Sequence, residues 1–252
     1  MEEENTLRPE DLMIAMKNML KPGQTFRFHC NQCGDCCRHR TDILLTPFDL
    51  NRIARHMGTT PQAVVERYCI VYVGESSRFP LVLLKAVGKD EACPFLKDNH
   101  CSIHQHKPTV CALFPLGRAR IYDRKTDADN NAGNKQERKM FYFLQESHCG
   151  TKDETHTVKE WLGEFNLVDS EAWFFEWSDA LGRLSVEIHA LEKLVPKRVM
   201  QMIFNTVFNE IYLNYYGGMD FMQQFRTNAE KVETLLSGLN EKIRNMKGSD
   251  KA

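Results

Sequence analysis

Through the second half of the chain apolar side chains recur at a spacing of three and four: Val158-Trp161-Leu162-Phe165, then Trp173-Trp177-Leu181-Leu184-Ile188-Leu191, then Val199-Ile203-Val207-Ile211. That period puts them on one face of a helix, so the chain is predicted to be helical from about Thr157. Breaks are expected at Asn166 to Asp169, at Pro196 and at Gly217-Gly218, and a last helix is expected over 220–243 before a polar tail. The aromatic run Trp173-Phe174-Phe175-Glu176-Trp177 and the stripe Phe204-Phe208-Tyr212-Tyr215 follow the same period and read most simply as core.

The first half is patterned differently. Arg8-Pro9-Glu10-Asp11-Leu12 opens a short amphipathic helix expected to end near Leu20, with Pro22-Gly23 as its stop. Thr46-Pro47 and Thr60-Pro61 each pair a capping hydroxyl with a proline suited to the first helical position, predicting helices over 48–57 and 62–71. Strands are predicted over 79–87, 116–122 and 140–144 from their apolar and β-branched content, and the polar stretch 123–138 reads as an exposed loop. Glu137-Arg138-Lys139 is then a solvated loop end.

Cysteine changes the picture. Of nine cysteines, four fall in the run Cys30-Asn31-Gln32-Cys33-Gly34-Asp35-Cys36-Cys37, and four more follow at Cys93, Cys101, Cys111 and Cys149. Thiolate is a soft ligand that holds zinc or iron, so clustered cysteines are first a metal signal. The C-x2-C-x2-C spacing matches the first three ligands of a ferredoxin-type loop, and Gly34 gives the freedom a tight turn demands. Were the backbone extended at Cys36-Cys37, their side chains would point to opposite sides, leaving one for a second centre or as a spare thiol. The prolines at 94, 108 and 115 reduce the entropy lost in fixing the downstream set.

Eight thiols divide into two four-ligand sites: one cluster and one zinc, two zincs, or one cluster with structural thiols all remain open. Eight bare thiolates would add about −8, whereas each filled four-thiolate site carries only about −2. Arg27, Arg38, Arg40, Lys107, Arg118 and Arg120 are available to balance the remainder. Cys69 lies in the apolar stretch 64–73 and reads as core. His104 is a weaker ligand candidate than any of the eight thiols, and His29, His39 and His148 flank the cysteines where they could donate hydrogen bonds to thiolates.

Composition narrows the remaining classes. The chain has 252 residues, 42% of them apolar, enough for an ordinary core. A net charge of −1 and a pI near 6.8 give no footprint for nucleic acid or an anionic membrane, so neither is expected as a partner. Met1-Glu2-Glu3-Glu4 lacks the layout of a secretory signal and no apolar run approaches a membrane span, so the expected location is the cytoplasm, where thiols stay reduced. No GxGxxG, P-loop, HExxH or GxSxG pattern occurs, which removes the usual sequence support for a dinucleotide fold, a phosphate cradle, a zincin or a serine hydrolase.

The cysteine pattern, together with Cys93-Pro94-Phe95-Leu96, Cys101-Ser102-Ile103-His104, Pro108-x2-Cys111, Phe114-Pro115 and Cys149, resembles the CxxCxxCC family of zinc- or iron-chelating domains over roughly residues 26–150. His104 departs from the tyrosine common in that family. The chain is also similar to flagellin lysine methylase in carrying such a module, which implies that the module can accompany S-adenosylmethionine chemistry.

The reading is an α+β protein with an N-terminal helix in 1–25, a cysteine-cluster metal-binding module in 26–156 and a helical region in 157–252. Its function is chelation of zinc or iron, with an iron–sulfur cluster as one form, through Cys30, Cys33, Cys36, Cys37, Cys93, Cys101, Cys111 and Cys149. The metal ion or cluster is then the one identified partner. Two other classes stand beside it: a protein lysine methyltransferase-like enzyme and a thiol redox switch.

Overall fold

The computed structural model describes residues 17–21, 23–120 and 140–249. The start of the first expected helix, the loop 123–138 and the stretch Glu137-Arg138-Lys139 lie outside the described residues. The architecture is α+β. Its strands form short antiparallel sheets and its helices lie mostly in the second half.

Strand β1 (Met19–Leu20) corrects the helix expected to run to Leu20: these two residues pair with Phe143 and Tyr142 at the edge of a sheet. In β2 (Thr25–His29) Phe26 and Phe28 point inward, and β3 (Leu44–Leu45) leads into α1 (Pro47–His56). The Thr46 hydroxyl accepts from the Asp49 amide at 3.3 Å while the Asp49 carboxylate accepts from the Thr46 amide at 3.0 Å, a reciprocal cap. Helix α2 (Pro61–Tyr68) starts on Thr60 as expected but stops short of 71, because Cys69–Val73 turns into β4. Its β-branched Ile70, Val71 and Val73 pair with β5 (Pro80–Leu84), giving the sheet β3-β5-β4.

Next come β6 (Leu96–Lys97) and β7 (His100–Cys101), a hairpin, then α3 (Thr109–Leu113), β8 (Leu116–Arg120) and β9 (Met140–Leu144), the last two pairing as neighbours. A long polar strand, β10 (Thr151–Thr157), pairs with β2 and was not legible in the sequence. Helices α4 (Val158–Gly163), α5 (Ser170–Glu192), α6 (Lys197–Phe208) and α7 (Phe221–Ser249) follow, with one π-helical segment at Asn209–Leu213. The breaks fall where the pattern placed them, but α7 outruns the expected stop at 243 and takes up most of the polar tail.

Two apolar clusters form the interior. The larger joins Leu50, Ile53, Val64, Phe79 and Val82 to Trp173, Leu184, Val207, Phe225 and Leu236, so side chains from both halves of the chain pack in one core. The smaller gathers Phe26, Phe28, Leu113, Leu116, Trp161 and Phe165. Trp173, Phe175 and Trp177 of α5 are buried, Trp173 stacking on Trp177 with ring centres 5.9 Å apart, whereas Phe174 is only partly buried. Cys69 is 5% exposed and belongs to the larger cluster. Among the described residues no helix is long and apolar enough to cross a membrane.

Candidate metal centre

Each cysteine is placed by a local device. Cys30 follows β2 and Cys149 precedes β10, and the register Thr151↔His29 brings those two strand ends together. Between them Gly150 holds φ at +76, and a Cβ there would lie 2.6 Å from the His29 carbonyl oxygen, so only glycine fits.

The C-x2-C-x2-C-C run turns at Gly34, φ +81, into a 3₁₀ turn over Asp35–Cys37. The Cys37 amide donates to the Gly34 carbonyl at 3.0 Å. This corrects the expectation of an extended backbone with Cys36 and Cys37 pointing apart. In the 3₁₀ turn neighbouring side chains sit about 120° apart and not on opposite sides, and both thiols line the same cavity.

The loop is tied to the downstream set. The Cys93 amide donates to the Cys37 carbonyl at 2.7 Å, and Arg38 donates to Asn99 Oδ1 at 2.6 Å. Asn99 and Asp98, both at positive φ, form the two-residue turn of the β6–β7 hairpin, whose pairing Leu96↔Cys101 sets Cys101. Cys111 rides on α3, whose first residue is pinned by a residue that the sequence reading missed. Asp49 is 2% exposed, and its Oδ1 accepts from the Thr109 amide at 2.7 Å and the Thr109 hydroxyl at 2.6 Å. Its one legible trace is the T-x-x-D capping pattern at Thr46, which accounts for one of its two oxygens.

All these devices converge on one cavity of about 920 Å³, lined by Cys30, Cys33, Cys36, Cys37, Cys93, Cys101, Cys111 and Cys149. Cys69 does not line it. The cavity lies where the two apolar clusters meet, since Phe95 and Ile103 come from one and Phe28 and Leu113 from the other. His104 also lines it, with its ring edge toward Phe165. His29 instead pairs with Glu154 at 2.9 Å.

Burial pushes the thiols of Cys93, Cys101 and Cys111 up from their ordinary range, and Cys149 up to about 12. Cys36 moves the other way, because the Cys37 thiol donates to it and Lys107 and Arg40 add positive charge; Cys37, as donor, holds its proton. Lys107 is 8% exposed and sits 4.1 Å from the Phe165 ring centre, a buried cation on the sulfur side of the cavity.

A soft all-sulfur donor set beside a buried ammonium suits zinc or iron and does not suit a hard cation such as magnesium. Among the described residues no three thiols, imidazoles or carboxylates are already gathered closely enough to grip an ion. Loading therefore requires the sulfurs to close in, toward metal–sulfur distances of about 2.3 Å for zinc.

Comparison with curated proteins and with solved structures returns no match. The sequence profile of the CxxCxxCC family, described as a "putative zinc- or iron-chelating domain", matches residues 29–154, a span that takes in all eight cavity cysteines and half of the chain. On the strength of that match the chain belongs to the CxxCxxCC family of zinc- or iron-chelating domains.

Proposed function

We propose that this protein binds zinc or iron through the eight cavity thiols, and that an iron–sulfur cluster is the form best suited to the C-x2-C-x2-C turn. One observation carries the reading: cysteines drawn from some hundred and twenty positions line a single cavity while the ninth is packed in the core. Thiols in one cavity with no metal would be an unusual use of the most oxidation-prone side chain. When bound, the metal would supply charge neutralisation for clustered thiolates and, if it is iron with sulfide, electron transfer. The chain's own part is to pin Cys37 to Cys93, Cys101 to Leu96, and Cys111 through Thr109 to Asp49, leaving the side chains to close on the ion. Lys107 offsets part of the negative charge that a thiolate site retains.

The test is metal and sulfide analysis of protein purified without oxygen, beside its visible spectrum. Brown protein that bleaches with dithionite and contains sulfide supports the cluster, and colourless protein with stoichiometric zinc supports the closed zinc site. Protein from metal-replete cells that contains neither metal overturns the reading.

A further inference from the structure

A four-thiolate metal site occupies a small part of 920 Å³, and the rest of this cavity has a chemistry of its own. Besides the cysteines the lining includes the aromatic rings of Phe114, Phe143, Phe174 and Trp177. Space for the Phe143 ring is made by its cross-strand partner Gly117, where a Cβ would lie 2.1 Å from the ring. The volume and the apolar lining fall within the range of small-molecule pockets, about 300–1,000 Å³.

Charge then says what kind of molecule. The acidic groups in the lining are already committed or exposed. Arg40 clasps Asp42 with two hydrogen bonds of 2.6 and 3.0 Å, Asp49 accepts from Thr46 and Thr109 through both oxygens, and Glu146 is exposed. Arg118 is different. It lies 4.4 Å from the Phe174 ring centre and donates through one terminal nitrogen to the Ser170 hydroxyl at 3.0 Å and the Ser170 carbonyl at 3.3 Å. Its Nε is buried with no hydrogen-bond partner. Its neighbour Tyr142 donates to Glu171 at 2.8 Å, and burial outweighs the pull of Tyr142, Asp49 and Glu171 on the guanidinium. A partly buried guanidinium with an unpartnered Nε, lying over an aromatic ring of the lining, is half of a recognition site for an anion.

We propose that this cavity binds a small organic anion with a flat apolar body, seated on the Phe114, Phe143, Phe174 and Trp177 wall with its acidic group against Arg118. The bound molecule then shares the cavity with the cysteine sulfur atoms. The proposal rests on the metal reading for what the ligand faces, and not for its binding.

The test is calorimetric titration of the full chain with naphthalene-2-carboxylate and with its neutral isostere, naphthalene-2-carboxamide, with zinc and iron measured on the same samples. The carboxylate is expected to give saturable heat below about 1 mM, and the carboxamide to bind at least about tenfold more weakly. Val110 is 42% exposed and lines the cavity, so Val110→Trp should obstruct its mouth and weaken the carboxylate by a similar factor. Arg118→Gln should reduce affinity for the carboxylate to that for the carboxamide. If Arg118→Gln does not fold, the isostere pair and Val110→Trp still decide. No saturable heat, equal affinity for the two probes, or undiminished binding to Val110→Trp overturns the proposal. Absence of zinc and iron overturns the metal reading alone, and the isotherm of the same sample still judges this one.

Discussion

Asp49 uses both carboxylate oxygens, one to cap α1 through Thr46 and one to hold Thr109 at the start of α3, two residues before Cys111. Asp49→Ala would remove the carboxylate half of the reciprocal cap and leave the buried Thr109 amide without a partner. The expected loss is about 1.5–4 kcal/mol, the sum of half a cap and one unsatisfied buried donor. Urea unfolding of the variant should show it, and the Cys111 thiol should react faster with an aromatic disulfide reagent; an unchanged midpoint would refute the pinning role.

Residue-scale chemistry also fixes a pH dependence. Burial raises Cys69 to about 12 and Cys149 to about 12, while the unfolded chain ionises near the free thiol value of about 8.5. A folded value raised above the unfolded one gives stability that is complete below the unfolded value and is lost as pH rises through the folded one. Thermal melts of the metal-free protein should therefore fall in Tm from about pH 8.5 toward pH 10, after a rise between pH 7 and 8.5 from Cys36, whose lowered value favours the folded state as pH climbs to the unfolded one. Metal affinity should move the opposite way, strengthening with pH because each buried thiol must release its proton to bind. A Tm of the metal-free protein that climbs between pH 8.5 and 10 would contradict this assignment of neutral buried thiols.

At the scale of elements, glycines mark where two segments must touch. Gly150 and Gly88 both hold positive φ, +76 and +73, but a Cβ at Gly88 meets nothing within 4 Å whereas one at Gly150 meets the Phe28 ring at 2.5 Å and the His29 carbonyl at 2.6 Å. Gly88→Ala should cost only the left-handed backbone penalty, about 1–2 kcal/mol. Gly150→Ala should cost clearly more and lower metal stoichiometry, because it separates the β2 and β10 ends that carry Cys30 and Cys149. Equal unfolding midpoints for the two variants would show that the contact carries no weight.

The same ladder shows why some elements were legible and others were not. Helices α5 and α6 repeat an apolar face and carry enough of it to be read from spacing alone. Strand β2 alternates Phe26 and Phe28 with polar neighbours over only five residues. Its partner β10 reads Thr151-Lys152-Asp153-Glu154-Thr155-His156-Thr157, with only His156 buried, so it is a strand because β2 recruits it and not by propensity. The two-residue strands β6 and β7 fall below any periodic signal, and their one local sign is the Asp98-Asn99 turn. Cys69 to Val71 was misread as helix because the apolar run continues from α2; the β-branched content of Cys69–Val73 carried the correct answer. Of the site, the thiol set was legible because chemistry is written in residue type, while Asp49 and Arg118 were not, since their roles depend on partners 60 and 52 positions away.

For the molecule as a whole, the consequence of metal loss depends on how the core is shared. Cys93, Cys101 and Cys111 pack against the larger apolar cluster, yet the mass of that cluster comes from α1, α2, β5 and the long helices, with Leu50, Val64, Val82, Leu184, Val207 and Leu236 nearly or fully inaccessible. The segments 30–42, 93–111 and 145–151 have few such residues, and among the described residues a single backbone hydrogen bond between cysteines, Cys93 to Cys37, joins the first two. A tight structural metal site contributes on the order of 10 kcal/mol, so its removal should release those segments first. Hydrogen exchange before and after chelation should show faster exchange there and at the cysteine-side ends of β2 and β10. The amides of α5, α6 and the interior of α7 should keep most of their protection, since their burial does not involve sulfur. Collapse of protection in α5 to α7 at the same rate as in 93–111 would mean that the two regions unfold as one unit, and that the shared cluster couples them more strongly than its own burial implies.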